Sequence, residues 1–178
     1  MSRIRITGGE WRSRLIKVAD SVRELRPTPD RVRVTLFNWL GRDLTGLSCL
    51  DLFAGSGILG FEAASRGAEL VTLVEQDQGA YAGLRQNAQA LGSLKLELLR
   101  ADAVKFANST LRRYDLIFLD PPFRQGWVER MAPLLPRLAN PGARLYVEAE
   151  HAVETVGPWR SIRQNRAGQV CYQLLEQA

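Results

Sequence analysis

The sequence has few of the residues that build disulfide frameworks or histidine-based and zinc-based catalytic sites. Its 178 residues include only two cysteines, Cys49 and Cys171, and one histidine, His151. Two cysteines form no framework, and Cys49 lies in an apolar, strand-like segment that is typical of a small core residue. We therefore expect no bound metal, and we assign His151 no functional role.

Long apolar runs are also missing. No run approaches the roughly 20 residues of a membrane-spanning helix, and Met1-Ser2-Arg3-Ile4-Arg5 lacks the apolar core of a signal peptide. The length suits a single domain with little room for a second. We expect a cytoplasmic protein that has no membrane partner and works as a monomer.

Acidic residues are scarce at the amino-terminal end of the chain. Residues 1–45 contain ten Lys and Arg residues against five Asp and Glu residues, whereas residues 46–178 contain fourteen of each. The net charge of +5 therefore lies entirely in the first quarter of the chain. A basic segment attached to a neutral domain indicates a polyanionic partner, and we predict that this partner is nucleic acid. We predict a basic extension over residues 1–25 and a catalytic domain over residues 26–178.

Strand and helix patterns alternate after Ser48. The predicted strands are 49–53, 70–75, 94–99, 114–119 and 144–148, and a closing antiparallel hairpin covers 159–166 and 170–175. The predicted helices between them are 58–66, 78–91, 104–107 and 128–138. This alternation predicts an α/β fold with a mostly parallel, seven-stranded sheet covered on both faces.

Two further elements are predicted before this alternation. Alternating apolar residues at 4–6 and 15–18, on either side of Gly8-Gly9, predict a small amino-terminal β-hairpin. Thr28 is a suitable N-cap for a helix that continues to about residue 40, because Pro29 and Asp30 fit its first turn. Arg31 and Arg33 do not complement the dipole at this helix end, so we expect them to face a ligand.

A glycine-rich loop follows the first predicted strand of the sheet. Residues 51–60 read Asp-Leu-Phe-Ala-Gly-Ser-Gly-Ile-Leu-Gly, and Glu75 ends the next strand about 20 residues on, as in a dinucleotide site. Asp51 argues against a dinucleotide, because its carboxylate would face a pyrophosphate at a cost of a kcal/mol or several. A ligand with an ammonium and a sulfonium would be attracted instead, and S-adenosylmethionine is such a ligand.

The predicted contacts of this cofactor are distributed over three strand ends. Glu75 can accept bonds from both ribose hydroxyls, and Asp102 can accept from the adenine amino group. Asp102 also suits the N-cap of the following helix, and the two roles are compatible, while Asp77 is predicted to cap rather than to bind. The predicted cofactor-binding residues are Asp51, Phe53, Ala54, Gly55, Ser56, Gly57, Glu75, Gln76, Asp102 and Ala103.

A stiff turn follows the fourth predicted strand and reads Asp120-Pro121-Pro122-Phe123. Taken alone, this turn fits a plain strand end as well as it fits a functional site, because proline cannot continue the ladder of hydrogen bonds. Beside a methyl donor, Asp120 and a proline carbonyl can accept the two hydrogens of an exocyclic amine, and Phe123 can stack on the base. We therefore predict that these four residues form the catalytic, amine-binding motif.

Both motifs resemble those of class I S-adenosylmethionine-dependent amino methyltransferases. Three further segments resemble the bacterial family that methylates a guanine N2 in 16S ribosomal RNA: Gly8-Gly9-Glu10-Trp11-Arg12-Ser13-Arg14, the stretch from Arg26 to Arg33, and Leu36-Phe37-Asn38-Trp39-Leu40. The resemblance implies a Rossmann-like, doubly wound domain with a small amino-terminal hairpin. It also implies a substrate within an assembling or assembled small ribosomal subunit. Phe123 stands where tyrosine is commoner, so stacking is kept and a hydroxyl contact is lost.

On this interpretation the basic residues of the amino-terminal quarter contact RNA. The predicted contacts are Arg12, Arg14, Arg26, Arg31 and Arg33. Trp11 fits either base stacking or core packing. Three alternatives are a nicotinamide-dependent oxidoreductase, a non-catalytic RNA-binding module and a DNA adenine-N6 methyltransferase. The chain length and the acids at 51, 75, 102 and 120 weigh against them.

Overall fold

The computed structural model describes residues 2–20 and 27–178 of the chain. Ten strands and six helices lie in these two ranges. In chain order they are β1 (Ser2–Arg5), β2 (Leu15–Val18), α1 (Asp30–Leu40), β3 (Ser48–Asp51), α2 (Ile58–Ser65), β4 (Leu70–Glu75), α3 (Gln78–Leu91), β5 (Leu96–Arg100), α4 (Ala103–Ser109), β6 (Tyr114–Leu119), α5 (Trp127–Met131), α6 (Leu135–Leu138), β7 (Ala139–Ala149), β8 (Thr155–Val156), β9 (Trp159–Ala167) and β10 (Val170–Gln177). No described helix combines the length and the apolarity that crossing a lipid bilayer requires.

The main sheet confirms the predicted doubly wound α/β class. Its strand order is β5-β4-β3-β6-β7-β10-β9-β8, parallel from β5 to β7 and antiparallel from β7 onward. The sheet has eight strands rather than the predicted seven, because the two-residue edge strand β8 is too short to produce a sequence pattern. The chain winds outward in opposite directions from β3 and β6, so the topological switch point lies between these neighbouring strands.

The predicted helix over 128–138 is two short helices, α5 and α6. Pro133 lies between them and has no N–H to continue the α5 ladder, while Pro136 fits the first turn of α6. Asn140, Pro141 and Gly142, which would suit a turn after this helix, lie within the span of β7. The prolines therefore end the first of these helices earlier than the apolar periodicity predicts.

Two apolar cores lie on opposite faces of the sheet. Alternate residues of β6 point to each: Leu116 and Phe118 join the core beneath α1, α2 and the amino-terminal hairpin, and Ile117 and Leu119 join the core beneath α4, α5 and α6. All four are fully buried. This double burial explains why the parallel strands read as continuous apolar runs.

The predicted amino-terminal hairpin is present as β1 paired antiparallel with β2. It is packed into the main core, since Ile6, Trp11 and Ile16 are buried there, and packing is therefore the role of Trp11. Gly9 makes the contact close: its φ is 79°, and a Cβ there would lie 2.0 Å from the Ser65 carbonyl oxygen. The division of the chain at residues 25 and 26 stays a prediction.

Arg33 is buried inside this core and does not face RNA as predicted. Its side chain has no exposed surface, and Nη1 lies 2.7 Å from Glu62 Oε1. Nη1 also donates to the Arg5 carbonyl at 2.7 Å, Nε donates to the Thr28 carbonyl at 3.0 Å, and Nη2 pairs with Asp30. Its guanidinium is thus committed to backbone and carboxylate acceptors within the fold.

Glu62 is the other half of this buried network. Its Oε1 also accepts the Thr7 amide at 2.6 Å and the Thr7 hydroxyl at 2.7 Å, and its Oε2 accepts Arg66 Nε at 3.2 Å. Because the carboxylate is fully buried, these donors are what offsets its desolvation. One residue of α2 therefore holds the hairpin and α1 together.

Removing one partner of this pair should destabilise the fold strongly. Arg33→Met leaves the Glu62 carboxylate buried without its main counter-charge, so we expect a loss of about 3–5 kcal/mol in the free energy of unfolding. Chemical denaturation measures it, and Arg31→Met is the matched control because Arg31 is exposed on the same helix. Equal stability of the two variants would contradict this role.

Candidate active site

The two predicted motifs meet at the carboxyl edge of the sheet, at its switch point. The pairing of β3 with β6 aligns Asp51 with Phe118, so the glycine loop and the turn starting at Asp120 leave neighbouring strand ends. Open α/β sheets bind ligands in the crevice that forms at this position. The structure therefore brings together the two motifs that lie about 70 residues apart in the sequence.

The glycine loop has the backbone shape of a ligand-binding turn. Gly55 and Gly57 have φ values of 55° and 83°, and Gly57 is the N-cap of α2. A Cβ on Gly57 would lie 2.4 Å from Leu84 Cδ2 and 2.6 Å from Phe61 Cε2. A side chain at Gly57 is thus excluded both by conformation and by space, and the loop stays close to α2 and α3.

Asp51 is a buried carboxylate with an unused acceptor. Oδ2 accepts the Gly60 amide at 3.3 Å, whereas Oδ1 has no hydrogen-bond partner of normal geometry among the described residues. Burial raises the pKa of Asp51 to about 7; Gly60 and the nearby Phe53 amide oppose the shift, and Glu75 and Glu148 add to it. An orphaned buried carboxylate beside a glycine loop is suited to a ligand that brings a cation or a donor.

Glu75, at the end of β4, also contacts the glycine loop. Its Oε2 accepts the Gly55 amide at 3.1 Å, and its Oε1 accepts the Asp77 amide at 3.2 Å. Burial is the main reason that its pKa is raised, and these two amides oppose the shift. Glu75 therefore shapes the loop as well as bordering the space above it. Gln76 follows it and is exposed.

The third predicted strand end also borders this edge. Asp102 accepts the Lys105 amide at 3.0 Å as the N-cap of α4, and Asp77 caps α3 through the Ala80 amide at 2.8 Å, which confirms both predicted caps. Ala103 is buried directly after Asp102. The contacts predicted for Glu75, Gln76, Asp102 and Ala103 with ribose and adenine stay predictions.

Phe53 and the residues near it form an aromatic wall beside the loop. Its ring meets the Trp127 ring edge-on at 5.1 Å, and Arg130 lies 3.7 Å over the Trp127 ring. Ala54 and Ser56 are buried in the same loop. Trp127 was not among the predicted site residues, because its place after the Asp-Pro-Pro-Phe turn carries no sequence signature.

A second carboxyl group, which sequence analysis missed, lies beside the Asp120 turn on β7. Glu148 is only 5% exposed, and it follows Val147, which pairs with Leu119 immediately before Asp120. The Tyr146 hydroxyl donates to Glu148 Oε1 at 2.7 Å. The position of Glu148 at the end of a predicted strand was a signal that sequence analysis could have used. That Glu148 lies beside Asp120 follows only from the pairing of β7 with β6.

Thr28 contributes to the turn instead of capping α1. The N-cap of α1 is Pro29, with no side-chain cap, so the predicted capping role of Thr28 is wrong. Its hydroxyl donates to Glu148 Oε1 at 2.8 Å and lies 3.5 Å from Asp120 Oδ2. As an N-cap, the Thr28 hydroxyl would accept a backbone N–H bond, whereas here it donates to a buried carboxylate, and such a charge-assisted bond is the stronger of the two.

The Asp120 carboxyl binds its proton unusually strongly. Burial, then the charge and hydrogen bond of Glu148, and then Asp51 raise the pKa of Asp120 well above its ordinary value. Burial also raises the pKa of Glu148, but the donors Tyr146, Thr28 and Asp120 oppose that shift. Pro121 is buried, while Pro122 and Phe123 are half-buried beside this pair.

The predicted RNA contacts do not lie together. Arg12 and Arg14 are exposed in the hairpin turn, and Arg14 Nη2 donates to the Ala90 carbonyl at 3.0 Å, near the carboxyl end of α3. Since the 14 residues of α3 span about 20 Å from the carboxyl edge, Arg14 lies far from Asp120. Arg31 is exposed in the first turn of α1, and Arg26 lies outside the described residues.

This fold, with a glycine loop after β3 and the Asp120 turn after β6, defines a class I methyltransferase. A family model described as "Conserved hypothetical protein 95" matches residues 4–176. The chain is 42% identical to "Ribosomal RNA small subunit methyltransferase D" of Escherichia coli strain K12, over 97% of this chain and 89% of that protein. It is 39% identical to the protein of the same name from Haemophilus influenzae, over 97% and 93%. The chain therefore belongs to the small-subunit methyltransferase D family.

Solved structures agree with this assignment. A protein described as "Putative methyltransferase yhhF from Escherichia coli" has a TM-score of 0.89 at 39% identity, covering 99% of this chain and 98% of that one. An RNA methyltransferase from Salinibacter ruber, solved in complex with S-adenosyl-L-homocysteine, has a TM-score of 0.67 at 19% identity, covering 85% and 93%. At that identity it shows the shared fold alone.

Asp51 should make the unliganded protein less stable as pH rises. A carboxyl whose pKa is raised to about 7 stabilises the folded state below its unfolded pKa and loses that contribution as pH rises to 7. We expect the stability of Asp51→Asn relative to wild type to increase by roughly 2–3 kcal/mol between pH 5 and pH 8. Denaturant unfolding measures it. Asp77→Asn is the matched control because Asp77 is exposed, and an equal trend there would contradict the assignment.

Proposed function

We propose that this methyltransferase transfers a methyl group from S-adenosylmethionine to the exocyclic N2 amine of a guanine in 16S ribosomal RNA. One observation carries the proposal. At the switch point, an orphaned buried carboxylate beside a glycine loop adjoins an Asp-Pro-Pro-Phe turn on the neighbouring strand. The loop is suited to a cationic methyl donor, and the turn is suited to an amine acceptor.

The residues of the loop fit S-adenosylmethionine. Asp51 Oδ1 offers an unused acceptor to a cationic ligand, and the Gly55–Gly57 backbone leaves room for close approach. Glu75 would hold the ribose, and Asp102 the adenine amino group. When bound, the cofactor supplies an electrophilic methyl group on a sulfonium. A dinucleotide fits less well, because its pyrophosphate would face Asp51.

The turn residues would act on the amine. Asp120 and a proline carbonyl accept the two N–H bonds, which favours a pyramidal nitrogen and stabilises the charge that develops on transfer. Half-buried Phe123 offers its face to the base. Adenine in DNA also carries an exocyclic amine, so the same turn could act on it, and DNA adenine is therefore the rival substrate.

The names of the relatives favour ribosomal RNA over DNA. The Escherichia coli and Haemophilus influenzae proteins are named as small-subunit ribosomal RNA methyltransferases. The basic amino-terminal quarter supports a polyanionic substrate. We infer that the protein acts in the cytoplasm, as a monomer, on RNA within an assembling or assembled small subunit.

We further propose an extended RNA contact. Arg31 lies one turn into α1 from Thr28, next to the amine site, whereas Arg12 and Arg14 lie about 20 Å away at the far end of α3. RNA that reaches both would run along the face of the molecule that carries the hairpin. Arg33, being buried, is not part of this surface.

Replacing Asp120 should separate catalysis from cofactor binding. We expect Asp120→Ala to lower kcat by about 100-fold or more, because it removes an acceptor that acts during transfer. S-adenosylmethionine affinity, measured by calorimetry, should stay at the wild-type value, whereas Asp51→Asn should weaken it. Loss of cofactor binding in Asp120→Ala would refute this division of roles.

A separate experiment identifies the methylated base. Nucleoside mass spectrometry on ribosomal RNA and DNA, from cells with and without the protein, should show loss of N2-methylguanosine in RNA. If N6-methyladenine is lost from DNA instead, the substrate is DNA adenine and the proposed RNA substrate is wrong. Tight binding of NAD without binding of S-adenosylmethionine would overturn the enzyme class.

The arginines should differ in how they depend on RNA length. Arg31→Ala should weaken binding to a short RNA that carries the target guanine and to the whole subunit, whereas Arg12→Ala and Arg14→Ala should weaken only the latter. Each lost phosphate contact should reduce the slope of log affinity against log salt by about 0.7–0.9. The control is Arg137→Ala, since Arg137 is exposed in α6, which covers the face of the sheet opposite the one that carries the hairpin. Identical behaviour of all four variants would contradict the extended contact.

A further inference from the structure

Two carboxyl groups lie side by side where the methyl transfer is proposed to occur. Asp120 follows β6 and Glu148 lies near the end of β7, and the pairing of Leu119 with Val147 brings them next to each other. The Thr28 hydroxyl lies between them, 2.8 Å from Glu148 Oε1 and 3.5 Å from Asp120 Oδ2. Nothing in the amine-binding role of Asp120 by itself requires a second acid.

The hydrogen bonds decide which of the two acids is the anion. Glu148 Oε1 accepts from both the Thr28 hydroxyl at 2.8 Å and the Tyr146 hydroxyl at 2.7 Å, and each hydroxyl has only one hydrogen to donate. Asp120 receives no comparably short bond from either hydroxyl. Two adjacent carboxyls in a buried site do not both ionise readily, so Glu148 is the one that ionises first and Asp120 is the one that binds a proton more strongly.

We propose that Glu148 is a positioning residue of this site: a buried anion, held by Thr28 and Tyr146, that makes Asp120 the acceptor of the proton lost by the methylated amine. The inference rests on the proposed amine methylation. Glu148 would act through Asp120 without touching the substrate.

The proton balance of the step closes. The amine nitrogen forms a bond to the methyl carbon, and the carbon–sulfur bond breaks with its electron pair left on sulfur. The nitrogen then carries a positive charge and loses one hydrogen as a proton, which Asp120 takes up. The new Asp120 O–H donates to Glu148, and the proton later leaves to water from the half-buried Asp120. Asp120 must therefore be ionised before each turnover.

The surroundings of the pair set the pH at which this ionisation occurs. Burial raises the pKa of Asp120, Glu148 and then Asp51 raise it further, and Thr28 opposes the shift. Activity should consequently fall on the acid side of the pH profile well above the range of an ordinary aspartate. The groups that face the pair are Tyr146 on β7, Asp51 on β3, Thr28 before α1, and Tyr172 on β10 behind Tyr146.

Two substitutions should move this acid limb in opposite directions. Glu148→Gln keeps the shape and the acceptor for Thr28 and Tyr146 but removes the charge, so the limb of kcat/KM should move to lower pH by about one unit or more. Thr28→Val removes the hydroxyl that lies 3.5 Å from Asp120 Oδ2 and lowers the pKa of Asp120, so the limb should move to higher pH. Glu154→Gln is the matched control on an exposed glutamate and should leave the profile unchanged.

The outcomes are distinguishable. A limb that stays in place in Glu148→Gln, in a variant with wild-type unfolding and cofactor affinity, overturns the inference. If Glu148→Gln does not fold, an unmoved or lowered limb in Thr28→Val overturns it instead. Wild type that methylates no amine overturns the proposed function. Even then, titration of ¹³C-labelled carboxyls by NMR tests the pair, and an Asp120 transition at the same pH in wild type and Glu148→Gln refutes the coupling.

Discussion

The buried pair of Arg33 and Glu62 is the interaction on which the arrangement of the site depends. Glu62 belongs to α2, which begins at the glycine loop, and Arg33 belongs to α1. The same guanidinium donates to the Arg5 carbonyl of the hairpin and to the Thr28 carbonyl. Charges taken out of water need several well-placed partners, so these segments are constrained together. The Thr28 hydroxyl is consequently directed at Glu148.

The site itself concentrates negative charge at one sheet edge. Asp51, Glu75, Asp120 and Glu148 all have raised pKa values, and burial is the leading cause for each. Such a cluster weakens the unliganded fold as these groups ionise, but it is complementary to a cationic methyl donor and to the hydrogens of an amine. At Asp51 this cost to stability has no compensating hydrogen bond at Oδ1 among the described residues.

Local sequence patterns predicted the helices, strands and caps correctly where no distant residue competed for the same groups. The strands β4 and β6, the helix α3, the caps Asp77 and Asp102 and the antiparallel closing hairpin follow directly from periodicity and capping chemistry. Predictions were wrong where a distant partner competed. Thr28 satisfies the capping rule in sequence, yet its hydroxyl bonds an acid 120 residues away. Arg33 resembles its exposed neighbour Arg31 until Glu62 supplies a buried counter-charge.

The sequence by itself determined the doubly wound class, the glycine loop, the Asp-Pro-Pro-Phe turn and the basic amino-terminal quarter, because these depend on neighbours a few residues apart. Only the tertiary structure decided that Glu148 adjoins Asp120, that Arg33 is internal, and that Arg14 lies at the far end of α3 from the carboxyl edge of the sheet. The physical reason is common to all three. Strand pairing and burial bring together groups that lie far apart in the chain, and a charge takes its role from what it faces after folding.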